Sequence, residues 1–414
     1  MSVIIAGGGV GGLTLALQLH ARGIPCRVFE AVATLEPLGV GLNLLPHAMK
    51  EMAELGLADE IASAGVRTQN YHFYNRYGQL IYAEPRGIAA GYAWPQVSLH
   101  RGMLHQILLR AVYERLGPEG VSTGHRFIFA EQTERGVTAA FELPDGKVES
   151  VTGELMVGCD GIRSAVRKQI YLLPDPLKYS GVTMWRGVTR WPAILDGATM
   201  VYAGWLETGK VIVYPISDQR DDEGRQLVNW LCEFYVPPRD ASGDWSQQGR
   251  LEDFLFACED MQFDFLNVPD FVRASEFIYE YPMVDRDPIA YWTEGRITLL
   301  GDAAHPMTPR GSNGAGQAII DAHVLADLLA TRSDPFYALH EYNDIRLPET
   351  SRVVEANRTN PPDAILREVF ERTGDKPFEN IDDVISQEEL AALSASYKHT
   401  AGFAQEQLDD SVTT

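Results

Sequence analysis

The hydrophobic residues of this chain follow two kinds of pattern. Short apolar runs at residues 3–6, 155–158 and 297–300 each lead into a glycine-containing turn, which is typical of a buried strand that ends sharply. Apolar residues at helical spacing follow two of these turns, at residues 13–21 and from about residue 315. Repeated units of strand, turn and helix predict an α/β fold.

The second pattern is the alternation of apolar and polar residues that is typical of antiparallel strands. It covers residues 123–151 and returns in the middle of the chain among many tryptophans and tyrosines. A sheet with so much aromatic surface can cover a planar ligand, although each single aromatic side chain also fits an ordinary core. We predict further strands at 71–79, 182–189, 199–205, 210–215 and 227–235, and helices at 254–275, 321–332, 334–357 and 364–373.

The composition excludes several kinds of partner. The 414 residues carry a formal charge of -22, which argues against nucleic acid and membrane surfaces because both attract basic proteins. Any anionic ligand must be held by a few arginines, lysines or backbone N–H groups. The four scattered cysteines form no C-x-x-C pair, so we expect reduced thiols in the cytoplasm and no metal site.

A glycine motif near the N-terminus predicts a dinucleotide site. Gly7 makes the turn after the first strand, Gly9 lets a pyrophosphate approach the backbone, and Gly12 allows the helix to pack on the strand. A strand predicted at residues 26–30 ends in Glu30, where the 2'-hydroxyl of a ribose would lie. Glu30 favours an unphosphorylated adenosine ribose, as in FAD or NAD. The alternative is an ordinary glycine-rich turn.

A second glycine motif follows the apolar run at residues 297–300. Asp302 stands at the mouth of this strand, where it can accept hydrogen bonds from sugar-like hydroxyls. Gly301 lets the backbone approach a flat ligand, and the N–H groups that open the helix near Gly314 favour negative charge. The alternative is a βα turn whose aspartate only caps a helix.

Two further features place charge near these strand ends. Arg101 stands in the first turn of a predicted helix, where a cation opposes the helix dipole and needs a compensating anion. Asp160 and Gly161 follow the run at residues 155–158 and lead into a helix predicted at 162–170. The alternatives are a solvated arginine and an ordinary turn.

Together, these motifs resemble those of the single-component FAD-dependent aromatic hydroxylases, the family typified by para-hydroxybenzoate and salicylate hydroxylases. The resemblance covers roughly residues 1–358. Three stretches, at residues 184–189, 281–288 and 313–315, are most similar to the phenazine branch of that family, represented by 5-methylphenazine-1-carboxylate 1-monooxygenase.

The resemblance implies roles for individual residues. The N-terminal glycines and Glu30 would hold the adenosine half of FAD, Arg101 would contact FAD, and Asp302 would hold the ribityl chain. Asp160 and Gly161 would lie near the cofactor and the NADH or NADPH that reduces it. Arg310 departs from the glycine-rich pattern of many relatives, which puts the polarity beside the flavin in doubt. The full predicted cofactor set is Gly7, Gly9, Val10, Gly11, Gly12, Glu30, Arg101, Asp160, Gly161, Gly301, Asp302, Gly311, Asn313, Gly314 and Ala315.

The substrate side is predicted from charge and aromaticity on the middle strands. Arg186 and Lys210 are the cations best placed to meet a carboxylate or phenolate, with a solvated strand face as the alternative. The other predicted substrate contacts are Tyr202, Trp205, Tyr214 and Pro306. No side chain is assigned to acid-base catalysis, and His305 is interpreted as structural.

The resemblance implies a Rossmann-like FAD-binding domain interleaved with an antiparallel-sheet substrate domain, in an α/β fold that is α+β overall. We predict the first domain at residues 1–70, 98–178 and 277–358, the second at 71–97 and 179–276, and a helical extension and acidic tail at 359–414. A polar stretch at residues 237–253 predicts an exposed loop.

The implied activity is hydroxylation of an electron-rich aromatic or N-heteroaromatic acid by O2 and NADH or NADPH, through a flavin C4a-hydroperoxide. Two alternatives remain open. One is an FAD oxidase or dehydrogenase of a small aromatic compound, and the other is a flavin-carrying protein that binds a ligand without turnover. The chain is expected to be a monomer or a homodimer.

Overall fold

The structure is a computed structural model that describes residues 1–35, 39–237 and 247–409. Most of the loop predicted at 237–253 and the end of the predicted acidic tail lie outside these described residues. Among the described residues, no helix combines the length and the apolar character needed to cross a bilayer.

The described residues form twenty strands. In chain order they are β1 (Val3–Ala6), β2 (Cys26–Glu30), β3 (Gly41–Leu44), β4 (Val66–Thr68), β5 (Asn70–Tyr74), β6 (Leu80–Pro85), β7 (Gln96–His100), β8 (Val121–Thr123), β9 (Arg126–Thr133), β10 (Gly136–Glu142), β11 (Val148–Gly153), β12 (Leu155–Gly158), β13 (Lys178–Trp191), β14 (Thr199–Trp205), β15 (Gly209–Arg220), β16 (Gln226–Tyr235), β17 (Gln262–Phe263), β18 (Leu266–Asn267), β19 (Ile278–Asp285) and β20 (Ile297–Leu299).

The same described ranges contain eleven α-helices. They are α1 (Val10–Ala21), α2 (Pro46–Glu54), α3 (Ala58–Ala64), α4 (Arg101–Leu116), α5 (Ala165–Ile170), α6 (Val268–Arg273), α7 (Gly314–Thr331), α8 (Pro335–Thr359), α9 (Ala364–Thr373), α10 (Gln387–Thr400) and α11 (Gln405–Asp409).

A five-stranded parallel sheet brings the three glycine-marked strand ends together. Its order is β20-β12-β1-β2-β8, so the strands that precede the predicted glycine turns are neighbours. The register pairs Ala6 with Gly158 and Gly158 with Leu299. Because parallel strands end at one edge of a sheet, the turns after β1, β12 and β20 share that edge, which is where α/β proteins bind ligands. The predicted α/β fold is confirmed.

Helices α1 and α7 pack against each other over this sheet because glycines remove the side chains between them. A Cβ added to Gly12 would lie 2.0 Å from the Gly7 carbonyl oxygen, so helix and strand touch through their backbones. A Cβ added to Gly11 would lie 2.7 Å from Leu300 and 3.4 Å from Ala318. The N-termini of two helices are thereby brought to one edge of the sheet.

A seven-stranded sheet with the order β19-β13-β16-β15-β14-β5-β6 faces this edge. Its register places Met184 and Lys210 on either side of Glu233. The prediction that residues 277 onward belong to the FAD-binding domain is wrong for β19, which pairs along β13 at the border of this sheet. In β19 the half-buried Tyr279 and Tyr281 alternate with the buried Ile278 and Glu280, as expected of a strand in this sheet. We keep the other domain boundaries as a proposal.

The prediction of a helix over residues 254–275 is also wrong. This segment contains one short 3-10 turn (Leu255–Ala257), the hairpin of β17 and β18, and the six-residue helix α6. Phe254, Met261 and Phe271 are buried against the outer face of the seven-stranded sheet. Tertiary burial, and not helical periodicity, accounts for the apolar residues here.

The C-terminal extension packs on the other face of the same sheet. Ile365, Leu366 and Val369 of α9 and Leu390 of α10 join the apolar cluster that contains Tyr202, Ile212 and Leu231 among its members. The extension therefore covers part of the sheet face that points toward the parallel domain.

Candidate active site

A cavity of about 350 Å³ lies between the carboxyl edge of the parallel sheet and the inner face of the seven-stranded sheet. Its volume falls in the range of small-molecule sites. The residues from the parallel domain that line it include Gly9, Val10, Gly11, Arg101, Gly161, Gly301, Asp302, Asn313, Gly314 and Ala315. The two glycine-marked strand ends, nearly 300 residues apart in sequence, thus meet at one cavity.

The first glycine turn presents bare backbone to the cavity. Gly9 is the N-cap residue of α1 and makes no side-chain cap hydrogen bond, so no side chain of its own covers the first N–H groups of the helix. A Cβ added to Gly9 would meet no protein atom within 4 Å. The open space and the positive end of the helix dipole fit a pyrophosphate.

The second glycine turn offers both an acceptor and a helix end. Asp302 lies exposed on the cavity wall, after Gly301, whose φ is +63°. At the start of α7, Asn313 makes no side-chain cap bond, and its amide Nδ2 has no partner among the described residues. A carboxylate next to uncapped N–H groups can hold hydroxyls and favour negative charge at a ring placed against Gly314.

A buried network of ion pairs holds the turn at Gly301 on the side that faces away from the cavity. Asp321 of α7 accepts hydrogen bonds from the Gly301 N–H at 3.1 Å, from His305 Nε2 at 2.5 Å and from Arg346 Nε at 2.7 Å. Burial would raise the pKa of Asp321, but the charges of His305 and Arg346 outweigh it and lower that pKa to about 2. His305 contacts this network and does not line the cavity, as expected of a structural residue.

Three predicted cofactor residues lie behind the glycine turn and not on the cavity wall. Gly7, with φ of +113°, and Gly12 permit the close packing of strand and helix. The Glu30 carboxylate accepts hydrogen bonds from the N–H groups of Gly8 and Val32, both at 2.7 Å. Glu30 therefore anchors the turn, and its contact with a ribose remains a prediction.

Asp160 differs from its predicted role. Its carboxylate accepts hydrogen bonds from Ser164 Oγ and from the N–H groups of Ala165 and Val166, the latter two at 2.7 and 3.2 Å. The side chain thus satisfies the first N–H groups of α5, a role that the sequence analysis did not consider for it, while Gly161 lines the cavity. The helix start after an Asp-Gly turn attracts the nearest carboxylate to its free N–H groups.

Gly311, which was predicted to contact the cofactor, does not lie on the cavity wall. It is buried beneath α10, where the Tyr397 hydroxyl occupies the space that a Cβ would take. Tyr397 donates a hydrogen bond to Asn357 Oδ1 at 2.7 Å. The neighbouring Ser312 lines the cavity with a left-handed φ of +52°, a strained conformation for a residue other than glycine.

The wall from the seven-stranded sheet is aromatic and apolar. Tyr202 stacks on Phe73 with a centroid distance of 5.0 Å, which holds its ring in place. Burial raises the pKa of Tyr214 to about 12 against the opposing effect of Arg186, so Tyr214 is neutral. The side chains that form this wall are Met184, Met200, Tyr202, Ile212, Tyr214 and Leu231.

Three guanidinium groups line the cavity without a carboxylate partner among the described residues: Arg101, Arg186 and Arg310. Arg186 donates to the Gly41 carbonyl oxygen at 2.6 Å, while its Nε has no described partner. Burial lowers the pKa of Arg186, and the charge of Arg101 adds to that effect. Cations that repel one another beside a cavity favour an anionic ligand.

The other predicted substrate residues need correction. Lys210 is 1% exposed and forms ion pairs with Glu233 and Asp363, so it cannot serve as a free cation for a substrate anion. Trp205 packs in the core, where Lys210 Nζ lies 6.0 Å from its ring centroid. Pro306 is buried, and Met307 takes its place on the wall. Strand register and bulges, which the sequence does not reveal, decide these positions.

Two carboxylates near the cavity, Glu233 and Asp363, were missed by the sequence analysis. Glu233 lines the wall, and its sequence signal was its alternation with Leu231, which puts a charged residue on a core-facing position. Asp363 comes from the extension to which no chemistry was assigned, and no local pattern indicates its contact with β15.

The arrangement defines a class: a protein whose cavity is bounded by two helix N-termini and covered by a sheet, a geometry that suits FAD. The open space at Gly9 fits a pyrophosphate, and the Asp302 carboxylate on the wall is an acceptor that fits ribityl hydroxyls. The model of the FAD binding domain family matches residues 1–230 and 267–357 of this chain. The chain belongs to this family of FAD-dependent aromatic hydroxylases.

Two relatives with assigned activities support this family assignment. The chain is 40% identical over 401 residues to the phenazine 1,6-dicarboxylic acid hydroxylase PhzS of Lysobacter antibioticus, in a match that covers 96% of each chain. It is 34% identical over 364 residues to the 3-amino-4-hydroxybenzoate 2-monooxygenase PtnB3 of Streptomyces platensis, in a match that covers 86% of each. The protein is therefore a flavin-dependent monooxygenase, and the predicted family is confirmed.

A solved structure shares the fold. HpxO of Klebsiella pneumoniae, in complex with FAD and uric acid, matches with a TM-score of 0.74 and 23% identity. The match covers 99% of this chain and 95% of that one. At this identity the likeness supports the fold alone, including the interleaving of a parallel and an antiparallel sheet.

Proposed function

We propose that this enzyme hydroxylates an electron-rich aromatic or N-heteroaromatic acid, with NADH or NADPH as reductant and O2 as oxidant. The observation that carries the proposal is the cavity itself. Two uncapped helix N-termini form one side, an aromatic sheet forms the other, and unpaired guanidinium groups lie between them. This combination suits a flat, electron-rich and anionic ring next to a flavin.

When bound, FAD supplies the transfer of electrons from the nicotinamide and the activation of oxygen. In our proposal the turn at Gly9 to Gly11 holds the pyrophosphate, Asp302 holds the ribityl chain, and Arg101 balances phosphate charge. The N-terminus of α7 favours negative charge at the flavin ring. Glu30, through its hold on the Gly8 N–H, keeps the first turn in its binding conformation.

On the substrate side, we propose that Arg186 pairs with the carboxylate of the ring, since it is the cation of the seven-stranded sheet that lines the cavity and has no ion pair among the described residues. Tyr202 and Tyr214 would flank the ring, and the apolar wall would exclude water from the reacting atoms. The relative PhzS is named for a phenazine dicarboxylic acid, which supports a fused N-heteroaromatic acid as the substrate class.

We also propose a cytoplasmic location, because the four cysteines are free thiols, as is usual in a reducing compartment. Acid-base catalysis by a side chain is not required if the ring already carries an amino or hydroxyl group. The chain's own residues then bind, orient and desolvate the two ligands.

The experiment is oxidation of NADH and NADPH by the FAD-loaded enzyme, with benzoate, nicotinate and phenazine acids, followed by product mass under ¹⁸O2. We expect one ring class to stimulate oxidation and to gain a single labelled oxygen atom. A product without label would establish the oxidase or dehydrogenase alternative. If no ring stimulates oxidation although rings bind, the flavin-carrying alternative holds.

A further inference from the structure

Three buried charges and the half-buried Arg310 meet at the end of the cavity that the C-terminal extension covers. Lys210 on β15 lies 2.5 Å from Glu233 Oε2 on β16 and also pairs with Asp363, which precedes α9. Lys210, Glu233 and Asp363 are each 3% exposed or less. Arg310 lies close enough for its charge to lower the pKa of both Asp363 and Lys210.

Fold stability does not explain this cluster. Burying ions costs free energy that their mutual attraction seldom exceeds, and an apolar trio of similar size is often at least as stable. Glu233 also lines the cavity. Outside its ion pair with Lys210, no group in the described part of the chain donates a hydrogen bond to Glu233 Oε2. An ionised carboxylate has about four lone-pair sites on its two oxygens, so Glu233 can accept a ligand donor in addition to its ion pair with Lys210.

Lys210 and Asp363 keep this acceptor in place. Burial opposes the charge of Lys210, but Asp363 and Glu233 outweigh it and raise the Lys210 pKa, so the ammonium is protonated. Burial likewise opposes the charge of Asp363, and Lys210 and Arg310 lower its pKa. The ammonium is thus held between two carboxylates, one of which borders the cavity.

We propose that Glu233 accepts a hydrogen bond from a hydroxyl or amino group on the aromatic ring of the substrate and so determines specificity for such rings. Lys210 and Asp363 are positioning residues that act through Glu233. The inference rests on the proposed function and deepens it. A hydrogen bond to a carboxylate increases the electron density of a phenolic or anilinic ring, which favours attack by an electrophilic oxygen.

The C-terminal extension would contribute to the substrate site through Asp363. Asp363 lies beyond residue 357, where the family match ends. The extension would therefore complete the substrate site from outside the part of the chain that the family shares. The contribution of the extension would be the Asp363 carboxylate, which contacts neither the substrate nor the cofactor.

The test measures equilibrium binding to the FAD-loaded enzyme by the change in flavin absorbance. The probes are two matched pairs, 3-amino-4-hydroxybenzoate with its 4-methoxy counterpart, and 1-hydroxyphenazine with 1-methoxyphenazine. We expect the wild type to bind the hydroxyl member of at least one pair about 10-fold to 100-fold more tightly, as a hydrogen bond to a charged group provides. Glu233→Gln should reduce this preference about 10-fold, and Glu233→Leu should abolish it.

Asp363→Asn should reduce the preference for the hydroxyl probe by about 3-fold to 10-fold. Lys210 would then have Glu233 as its single anionic partner in this cluster, which changes the position and charge environment of Glu233. Asp363 makes no side-chain cap bond to α9, so the substitution leaves the helix start intact. The matched control is Glu368→Gln, a carboxylate on α9 that pairs with Arg372 at the surface. It should leave the preference unchanged. The ratio within a pair is insensitive to general losses of affinity, and flavin content shows that each variant is folded.

Two outcomes overturn the proposal: a wild type that binds neither hydroxyl probe more tightly than its methyl ether, or a Glu233→Leu variant that keeps the wild-type preference. Either result leaves the proposed function standing if the wild type still inserts labelled oxygen into a ring. Loss of labelled insertion in the wild type would instead refute the function.

Discussion

The two sides of the cavity are built in different ways. The parallel domain presents backbone: bare glycine turns, helix N-termini and one exposed carboxylate, Asp302. The seven-stranded sheet presents side chains that depend on strand register, namely an aromatic wall, Arg186 and the buried pair of Lys210 and Glu233. A backbone site accepts the invariant parts of a cofactor, while a side-chain site can change its substrate by single substitutions.

This difference predicts distinct failures. Damage to the backbone side should weaken FAD binding, and at a glycine that also shapes the fold, such as Gly12, it should lower stability as well. Damage to the side-chain side should alter substrate recognition and leave FAD in place. The following changes test this separation, from the largest expected effect to the smallest.

Gly12→Ala should have the largest effect. Its Cβ would lie 2.0 Å from the Gly7 carbonyl oxygen, so α1 must move away from β1. We expect a loss of about 3 kcal/mol in the free energy of unfolding, as for strong overpacking. The protein should also purify without FAD. Denaturant unfolding of the apoprotein and its flavin content measure the two effects.

Gly9→Ala is the matched control. Its Cβ meets no protein atom within 4 Å, and the backbone φ of -75° suits alanine. The apoprotein should therefore keep its stability, while the methyl group enters the space assigned to the pyrophosphate and weakens FAD binding. If Gly9→Ala retains full FAD affinity, the placement of the cofactor is wrong.

Acid should weaken the start of α7 through His47. Burial is the main cause that lowers the His47 pKa to about 4, and its Nε2 lies 3.0 Å from Asn313 Oδ1. Between about pH 6.5 and pH 4 the unfolded chain takes up a proton that the native imidazole does not, so stability falls as the pH drops. The loss by pH 4 should reach about 3 kcal/mol.

Unfolding free energies measured across this pH range should fall less steeply in His47→Gln, whose amide can still donate to Asn313. Equal slopes in the variant and the wild type would exclude His47 as the source. The same titration should show whether FAD is released as the α7 turn weakens.

Asp302→Ala should weaken FAD binding by about 10-fold to 100-fold, the effect of losing hydrogen bonds to a charged acceptor. Stability of the apoprotein should hardly change, because the carboxylate is exposed on the cavity wall. Titration of the apoprotein with FAD measures the affinity. Asp344→Ala, an exposed aspartate on α8, serves as the control and should bind FAD as the wild type does.

Arg186→Met should have the smallest effect on the holoenzyme as a whole. We expect about a 10-fold rise in KM for the acid that the panel identifies, from the loss of one charged hydrogen-bonded pair. The KM for the corresponding amide should change little. Steady-state kinetics and flavin content together decide the outcome: a variant that loses FAD as well would remove the distinction between the two sides.

Much of the parallel domain could be predicted from sequence because its signals are local. The strand, the glycine turn and the acid at Glu30 lie within thirty residues of one another, and Gly7 and Gly12 each have a steric reason to be there. The family resemblance likewise rested on such contiguous motifs. Asp160 shows the limit, since a carboxylate beside a helix start can either face a ligand or cap the helix.

The sequence by itself therefore determined the fold class, the cofactor and the turns that lie at the strand ends. Only the tertiary structure decided which cations are free: Lys210 is neutralised by Glu233 across the sheet and by Asp363 from 153 residues away, while Arg186 is not. The physical reason is the distance along the chain between the residues that interact. Turns and helix starts depend on neighbouring residues, but the charge state and exposure of a strand residue depend on register and on whatever segment folds over it.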